Sequence, residues 1–305
     1  HDVYTLTSDV TVLPTVTLTI AHGVRVQAAS NVQLMVQGHL EALGTPADPI
    51  TFTSMSDSGP YQWSGLVFDG GTGDLRHVTV RYGGMENSVL GSRYPGSNIT
   101  VRNVLTGEVR IESSAVISQY NYYSNNHRAD YGLYVDNSRV VVSGTLFSEN
   151  GYNSDDYALY ATRNSVVTVT NSEFRDNDGW AVRVGAGDVH RVMGNTFDNN
   201  GYDRVLISTG SVMTGSVLTV QGGLQAYEME GDLNVPAGVT LTVNPGVLVM
   251  GRSEAELQVN GHLQATGVVT SPIIFTSVSN VQPDTWQGLV FDGSAAPATG
   301  GGTGV

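Results

Sequence analysis

A short unit recurs along the middle of the sequence, and this repeat restricts the fold more than any other feature. In each copy an aromatic residue is followed three positions later by asparagine. The pairs are Tyr123/Asn126, Phe147/Asn150, Phe174/Asn177 and Phe197/Asn200. The aromatic residues are 24, 27 and 23 positions apart (147−123, 174−147 and 197−174). Repeats of about 20–50 residues are typical of solenoids and propellers.

The residues around each pair favour short strands. A second aromatic residue follows the Gly/Asn/Asp turn and opens an apolar run; these residues are Tyr131, Tyr157, Trp180 and Tyr202. No unit has helical spacing of any length, and a propeller blade needs roughly 40 residues. The sequence therefore predicts an all-β fold, a parallel β-helix solenoid with three short strands per coil and about 12 coils of roughly 22–27 residues. Parallel crossover connections are nearly always right-handed, so we expect a right-handed helix.

The stacking of coils explains why the unit is repeated. Successive coils of a β-helix are separated by the strand spacing of ~4.8 Å, so equivalent residues stand above one another. We expect Phe147, Phe174 and Phe197 to stack inside the helix. We also expect an amide ladder, in which each side chain binds the next coil. Its members are Asn126, Asn150, Asn177 and Asn200.

A second, much longer repeat relates the two ends of the chain. Residues 18–70 align without gaps to residues 241–293, with 27 identities in 53 positions and a constant offset (241−18 = 223). We infer one long unit at 1–223 and the start of a second at 224–293, both within a single β-helix over 1–293. The Gly/Ala/Pro-rich segment 294–305 is predicted to be a flexible tail.

The charge of the chain excludes two classes of partner. The net charge is −14, and none of the 14 basic residues is Lys. Such a surface repels nucleic acids and anionic membranes. No apolar run approaches the roughly 18 residues of a membrane span. We therefore expect no nucleic-acid partner and no membrane insertion.

Several segments of the long repeat are similar to one known group of proteins. They are LTVNPGV, LQVNGHLQATG, PIIFTS and WQGLVFDG, and the first copy continues with LRHVTVRYGG at 75–84. Together they resemble the right-handed parallel β-helix segments of large bacterial secreted and surface proteins, which belong to the pectin-lyase-like superfold. The resemblance covers nearly all of 1–293 and implies an extracellular or cell-surface location. The superfold includes lyases, hydrolases, adhesins and inert stalks, so it does not choose among these functions.

We interpret the chain as a non-enzymatic structural protein, a β-helical rod, stalk or filament subunit of the cell surface. The ladder residues and the gap-free second copy favour this interpretation, and no convincing catalytic group or metal-binding motif is present. The expected partners are copies of the chain stacked head to tail, or further β-helix units of a parent polypeptide. We expect no cofactor.

The alternative is a polysaccharide lyase, a glycoside hydrolase or a carbohydrate-binding adhesin. In that case Asp156, Asp178 and Asp203 would form an acidic face, with Tyr157 and Trp180 as sugar-stacking rings. Stacked carboxylates suit a Ca²⁺ site or an acid/base pair. However, Asp is a common turn residue, and regularly spaced aromatic residues are more often packing residues than ligand contacts.

Overall fold

The computed structural model describes residues 2–59, 61–84, 96–117, 131–279 and 285–292. The chain forms two compact units, His1–Val182 with Asp198–Tyr202, and Arg183–Phe197 with Asp203–Val305. The predicted tail at 294–305 lies outside the described residues, as does Asn126. No helix among the described residues is long and apolar enough to cross a membrane.

The first unit consists of short strands joined by turns. In chain order they are β1 (Val3–Leu6), β2 (Val10–Val12), β3 (Thr17–Ile20), β4 (Arg25–Ala28), β5 (Gln33–Val36), β6 (His39–Leu43), β7 (Ile50–Ser54), β8 (Gly65–Asp69), β9 (Thr72–Arg76), β10 (Val78–Arg81), β11 (Ser97–Arg102), β12 (Val109–Glu112), β13 (Ala115–Ile117), β14 (Tyr131–Asp136), β15 (Arg139–Ser143), β16 (Leu146–Ser148), β17 (Tyr157–Thr162), β18 (Val166–Thr170) and β19 (Glu173–Arg175).

Each strand of the first unit pairs in parallel with the strand three places further along the chain. This gives sheet A (β1-β4-β7-β10-β13-β16-β19), sheet B (β2-β5-β8-β11-β14-β17) and sheet C (β3-β6-β9-β12-β15-β18). Pairing with every third strand means that three strands complete one coil. The predicted all-β, right-handed parallel β-helix is confirmed.

In sheet A, the alternation of side chains along each strand determines which residues belong to the core. The register aligns Val26 with Phe52, Phe52 with Val80, and Val116 with Phe147. All of these side chains are buried. Their neighbours along each strand point to the opposite face, because side chains alternate along a strand. The core is thus a column of apolar side chains, one from each coil.

Some coils of the first unit are longer than the sequence repeat predicts. In sheet B, Leu34 pairs with Leu66, Leu66 with Ile99, and Ile99 with Leu133. The sequence separations of these pairs (66−34 = 32, 99−66 = 33 and 133−99 = 34) all exceed the predicted coil length. In the first of these coils, the residues between β6 and β7 add length outside the strands, where insertions do not disturb the ladder of hydrogen bonds. The count of about 12 coils stays a prediction.

The remaining elements follow in chain order. They are β20 (Trp180–Val184), the 3₁₀ helix η1 (Ala186–Arg191), β21 (Val192–Met193), β22 (Thr196–Asp198), β23 (Tyr202–Ile207), β24 (Gly210–Ser211), β25 (Ser216–Leu218), β26 (Ala226–Met229), β27 (Leu233–Val235), β28 (Thr240–Val243), β29 (Leu248–Gly251), β30 (Glu256–Val259), β31 (His262–Ala265), β32 (Ile274–Ser277) and β33 (Gly288–Phe291).

The second unit repeats the same pairing rule. Its parallel sheets have the orders β23-β26-β29-β32, β24-β27-β30-β33 and β25-β28-β31. Tyr227 lies in its core with 1% exposure. Its hydroxyl donates to the Thr219 carbonyl at 2.8 Å and accepts from Gln221 Nε2 at 3.0 Å. Burial raises the pKa of Tyr227, although the hydrogen bonds that its oxygen accepts from Gln221 and from the Thr219 backbone N–H, at 3.3 Å, oppose the shift.

One glycine explains why the W-x-G-L motif appears in both copies of the long repeat. Gly65 has φ +96°, and a Cβ there would lie 2.6 Å from the Ser97 carbonyl oxygen. Gly288, the matching residue of the second copy, has φ +90°. Only glycine adopts this backbone without strain. Trp63, two positions before Gly65, is buried and donates from Nε1 to the Arg81 carbonyl at 2.8 Å.

Candidate functional site

A ladder of asparagine side chains runs through the turns of the first unit. Asn150 donates from its backbone N–H and from Nδ2 to Asn177 Oδ1, both at 3.0 Å. Asn177 donates in the same way to Asn200 Oδ1, at 3.2 Å and 2.6 Å. The Nδ2 groups of Asn177 and Asn200 also donate to the carbonyls of Phe147 and Phe174, respectively. Each amide therefore joins its own turn to the next coil.

Asn98 extends this ladder and was not predicted. Its Nδ2 donates to Asn150 Oδ1 at 3.2 Å, and its Oδ1 accepts from the Gly83 backbone N–H at 2.8 Å. The residue is fully buried. Asn98 lies 52 positions before Asn150 and is not three positions after an aromatic residue, so the repeat pattern does not contain it.

The phenylalanines of the short repeat are core residues. Phe147 and Phe174 occupy paired positions of β16 and β19. Their ring centroids are 4.9 Å apart and their planes differ by 6°. Both are fully buried. Phe197 is 3% exposed within the second unit.

The second aromatic series forms a stack in the first unit. Ring centroids are 5.8 Å apart for Tyr131 and Tyr157, 6.3 Å for Tyr157 and Trp180, and 4.3 Å for Trp180 and Tyr202. The Trp180 plane is inclined by 21° to Tyr157 and 26° to Tyr202. Trp180 is only 6% exposed. The faces of Trp180 thus contact neighbouring rings, and a sugar ring would need such a face to stack.

The acidic candidates differ in their surroundings. Asp156 is 5% exposed, and its Oδ2 accepts from the backbone N–H groups of Tyr152 and Asn153 at 2.6 Å and 3.0 Å. Its carboxylate therefore closes the turn before β17. Asp178 is exposed, yet partial burial raises the pKa of its carboxyl. Asp203 is 9% exposed and belongs to the second unit.

A carboxylate missed by the sequence analysis holds three strands of sheet A. Asp57 binds Arg25 Nη2 at 2.7 Å and Arg81 through two contacts, Nε at 2.9 Å and Nη2 at 2.6 Å. The Thr53 hydroxyl donates to Asp57 Oδ1 at 2.5 Å. Burial acts to raise the pKa of Asp57, but these hydrogen bonds together hold it below its usual value.

Replacing this carboxylate is expected to lower stability in a pH-dependent way. We expect Asp57→Asn to lower the free energy of unfolding at neutral pH by about 1.5–3 kcal/mol, as for hydrogen bonds to charged groups. Asn tolerates the positive φ of 46° found at this position, so the backbone is not strained. Because the pKa of Asp57 is lowered on folding, its contribution is present above 3.8 and is lost as pH falls through the folded-state pKa. Urea unfolding of both proteins from neutral pH to pH ~3 measures the difference; a difference that does not shrink on acidification would contradict this assignment.

The second unit has its own buried ion cluster. Glu228 is 1% exposed and accepts from Arg204 Nη1 at 2.8 Å and from Arg252 Nε at 2.7 Å. Arg183 Nη2 donates to Glu230 Oε2 at 2.6 Å. Each pair joins residues of different strands or their flanking turns. The two pairs of Glu228 therefore connect neighbouring coils, whereas the Arg183–Glu230 pair joins β20 to the turn after β26, and β23 lies between these two strands.

Two further features bear on ligand binding. A shallow groove of about 320 Å³ lies on the first unit, lined by Ala28, Met55, Tyr61 and Gln62 among others. None of the predicted site residues lines it. Within the described ranges, no group of three His, Asp or Glu side chains is placed to hold a metal ion.

The comparison with protein families finds a match. The pectate-lyase-like beta helix domain matches residues 1–90 and 212–304, more than half of the chain. These two segments contain the aligned stretches 18–70 and 241–293 of the long repeat. Searches of curated proteins and of solved structures returned no match. The stacked parallel strands and this match lead to the same conclusion: the chain belongs to the pectate-lyase-like β-helix domain family.

Proposed function

We propose that this chain is a structural β-helical module of an extracellular or cell-surface protein, a segment of a rod, stalk or filament that performs no reaction. One observation carries the proposal: the side chains that are repeated from coil to coil are engaged with the next coil. The amides of Asn150, Asn177 and Asn200 bind one another from coil to coil and also bind backbone carbonyls. Such ladders make each coil depend on its neighbours, as in other repeat proteins.

The charged side chains support the same proposal. Arg102 binds Asp69 at 2.9 Å, and Arg76 binds Glu112 at 3.1 Å. The two members of each pair are 33 and 36 positions apart in the chain, so each pair joins adjacent coils of the first unit. A catalytic site usually keeps one or more titratable groups directed toward a substrate. Here these charged groups form coil-to-coil contacts instead.

The proposed structural function can be tested directly on the natural protein. We expect electron microscopy of the natural protein to show thin rods or fibres with a regular axial repeat. Immunolabelling of intact cells should place the epitope outside the cell. Globular particles alone, or a label found only after lysis, would contradict the proposal. The partners in this proposal are further β-helix units, supplied by the parent polypeptide or by other copies of the chain.

One observation favours the alternative of a polysaccharide-active or sugar-binding protein. Asp178 is an exposed carboxyl with a raised pKa, and it lies two positions before Trp180 in the aromatic stack. Carboxyls with raised pKa serve as general acids in glycoside hydrolases. The family description also refers to pectate lyases. Asp178 is therefore the residue at which the two functions make opposite predictions.

Substitution of Asp178 separates stability from activity. Because the pKa of Asp178 is raised on folding, stability falls as the pH rises above the ordinary value of 3.8, and the loss is complete above the folded-state pKa. We expect Asp178→Asn to raise the urea midpoint at neutral pH and to have no effect near pH 3, where the carboxyl is protonated in both states. If the chain is a structural module, we expect that neither the wild type nor the variant releases reducing sugars or unsaturated products from acidic and neutral polysaccharides. Product release by the wild type that Asp178→Asn abolishes would support the enzyme instead.

A further inference from the structure

Four tyrosines lie close together on two adjacent strands of sheet B. Tyr131 and Tyr134 belong to β14, and Tyr157 and Tyr160 belong to β17. The register pairs Tyr131 with Tyr157 and Tyr134 with Tyr160. Centroid distances are 5.8 Å for both of these pairs and 4.9 Å for the diagonal Tyr131–Tyr160. We call these four residues the tyrosine quartet.

The rings of the quartet are in mutual contact and within reach of solvent. Within the strands, Tyr131–Tyr134 and Tyr157–Tyr160 centroids are 5.5 Å and 4.8 Å apart. The Tyr134 and Tyr160 planes are nearly parallel, at 6°. Tyr131, Tyr157 and Tyr160 are partly exposed, whereas Tyr134 is 9% exposed. An oxidant can therefore reach the edge of the quartet, and a radical formed on any ring has another phenol beside it.

The chain has few other means of joining its coils covalently. It contains neither Cys nor Lys, so disulfides and Lys–Asn isopeptide bonds are absent. It does contain 14 Tyr. We propose that the tyrosine quartet is an oxidative cross-linking site, at which a one-electron oxidant such as a haem peroxidase with hydrogen peroxide joins a tyrosine of β14 to a tyrosine of β17 as dityrosine.

The reaction balances in atoms and electrons. Each of two phenols loses one electron and its hydroxyl proton, which gives two phenoxyl radicals. A carbon–carbon bond forms between ring carbons ortho to the two oxygens. The hydrogens on those carbons leave as protons while protons return to the oxygens, and both phenols are restored. The protein loses two hydrogen atoms, and one hydrogen peroxide is reduced to two waters.

The link would fasten two adjacent coils. A Tyr134–Tyr160 bond closes a loop that spans positions 134–160 of the chain. A cross-link of this kind restricts the unfolded chain more than the folded one, as disulfides do. We therefore expect the oxidised protein to unfold at a higher urea concentration than the untreated protein.

The arginines that flank the quartet make the link directly measurable. Trypsin cleaves after Arg128, Arg139 and Arg163, so Tyr131 and Tyr134 fall in peptide 129–139 while Tyr157 and Tyr160 fall in peptide 140–163. The dilute protein is treated with peroxidase and hydrogen peroxide, and the digest is analysed by mass spectrometry. We expect a joined peptide pair lacking two hydrogen atoms, with dityrosine fluorescence, from a protein that still migrates as a monomer on a denaturing gel.

Two variants test the site itself. Replacing all four tyrosines by Phe keeps the ring packing and removes the phenols, so the joined peptide and the rise in urea midpoint should both be lost. If that variant does not fold, Tyr134→Phe and Tyr160→Phe are assayed singly, and each should reduce the yield of the joined peptide. Tyr152→Phe is the matched control, because Tyr152 lies in peptide 140–163 but outside the quartet; it should leave the yield unchanged.

Three results would overturn the proposal. They are the absence of dityrosine in the treated wild type, links found only between separate molecules, and links that map to Tyr152 or to the exposed Tyr4 rather than to the quartet.

Discussion

We expect Asn177→Ala to lower the free energy of unfolding by about 3–5 kcal/mol, because it leaves several buried hydrogen-bonding groups without partners at once. The side chain accepts two hydrogen bonds from Asn150 and donates to Asn200 Oδ1 and to the Phe147 carbonyl. It is 1% exposed. Urea unfolding followed by circular dichroism and tryptophan fluorescence measures the change.

A control and a second variant separate the ladder from general effects of substitution. Asn164 is exposed in the turn before β18, and Asn164→Ala should change stability by no more than about 0.5 kcal/mol. Asn177→Asp keeps the acceptor but loses the amide donors and buries a charge. We expect its deficit to shrink as the pH falls and the new carboxyl is protonated. Equal stability of Asn177→Ala and Asn164→Ala would show that the ladder contributes nothing.

We expect Phe174→Ala to have an effect of similar size, about 3–5 kcal/mol, for an apolar rather than a polar reason. Phe174 is fully buried and stacks on Phe147 at 4.9 Å. The substitution removes a ring from a column in which each coil supplies one side chain. The cavity left behind cannot close easily, because the hydrogen bonds of sheet A fix the spacing of the coils.

Two further substitutions on β19 show whether the loss of the buried ring causes the loss of stability. Phe174→Leu retains more of the buried volume and should cost less than Phe174→Ala. Glu173 is exposed on the opposite face of β19, and Glu173→Ala should stay within about 0.5 kcal/mol of the wild type. If Glu173→Ala and Phe174→Ala were equally destabilising in urea unfolding, the column of Phe side chains would not be the core of this unit.

The tertiary structure shows site residues that the sequence repeats do not predict. The sequence pattern contains Asn150, Asn177 and Asn200, whereas Asn98 joins their ladder from 52 positions before Asn150. In the same way, Tyr134 and Tyr160 lie outside the aromatic series defined by the turn, yet they pack against it. Register across a long coil places Asn98 and cannot be counted from the sequence, whereas Tyr134 and Tyr160 pair within the predicted coil length (160−134 = 26) and the structure adds only their ring contacts.

The ionic contacts could not be predicted from the sequence either. Asp57 belongs to no sequence motif, but it binds Arg25 and Arg81, which lie on the strands at either side of β7, the strand that Asp57 follows. Asp156 was predicted as a member of an acidic face, and the structure adds that its carboxylate accepts hydrogen bonds from the turn before β17. Partners for a charge depend on which turns are adjacent in space, so composition alone could not assign them.

By itself the sequence determined the class of fold, since strand-length runs repeated every two dozen residues satisfy their hydrogen bonds only when each coil lies on another. It also contains the gap-free internal similarity between residues 18–70 and 241–293. Only the tertiary structure decided which residues share a ladder, a ring stack or an ion pair. The physical reason is that coil length varies, so neighbours in space occur at no constant spacing in the chain. Tyr227 pairs with Val249 across a short coil (249−227 = 22), whereas Val80 pairs with Val116 across a much longer one (116−80 = 36).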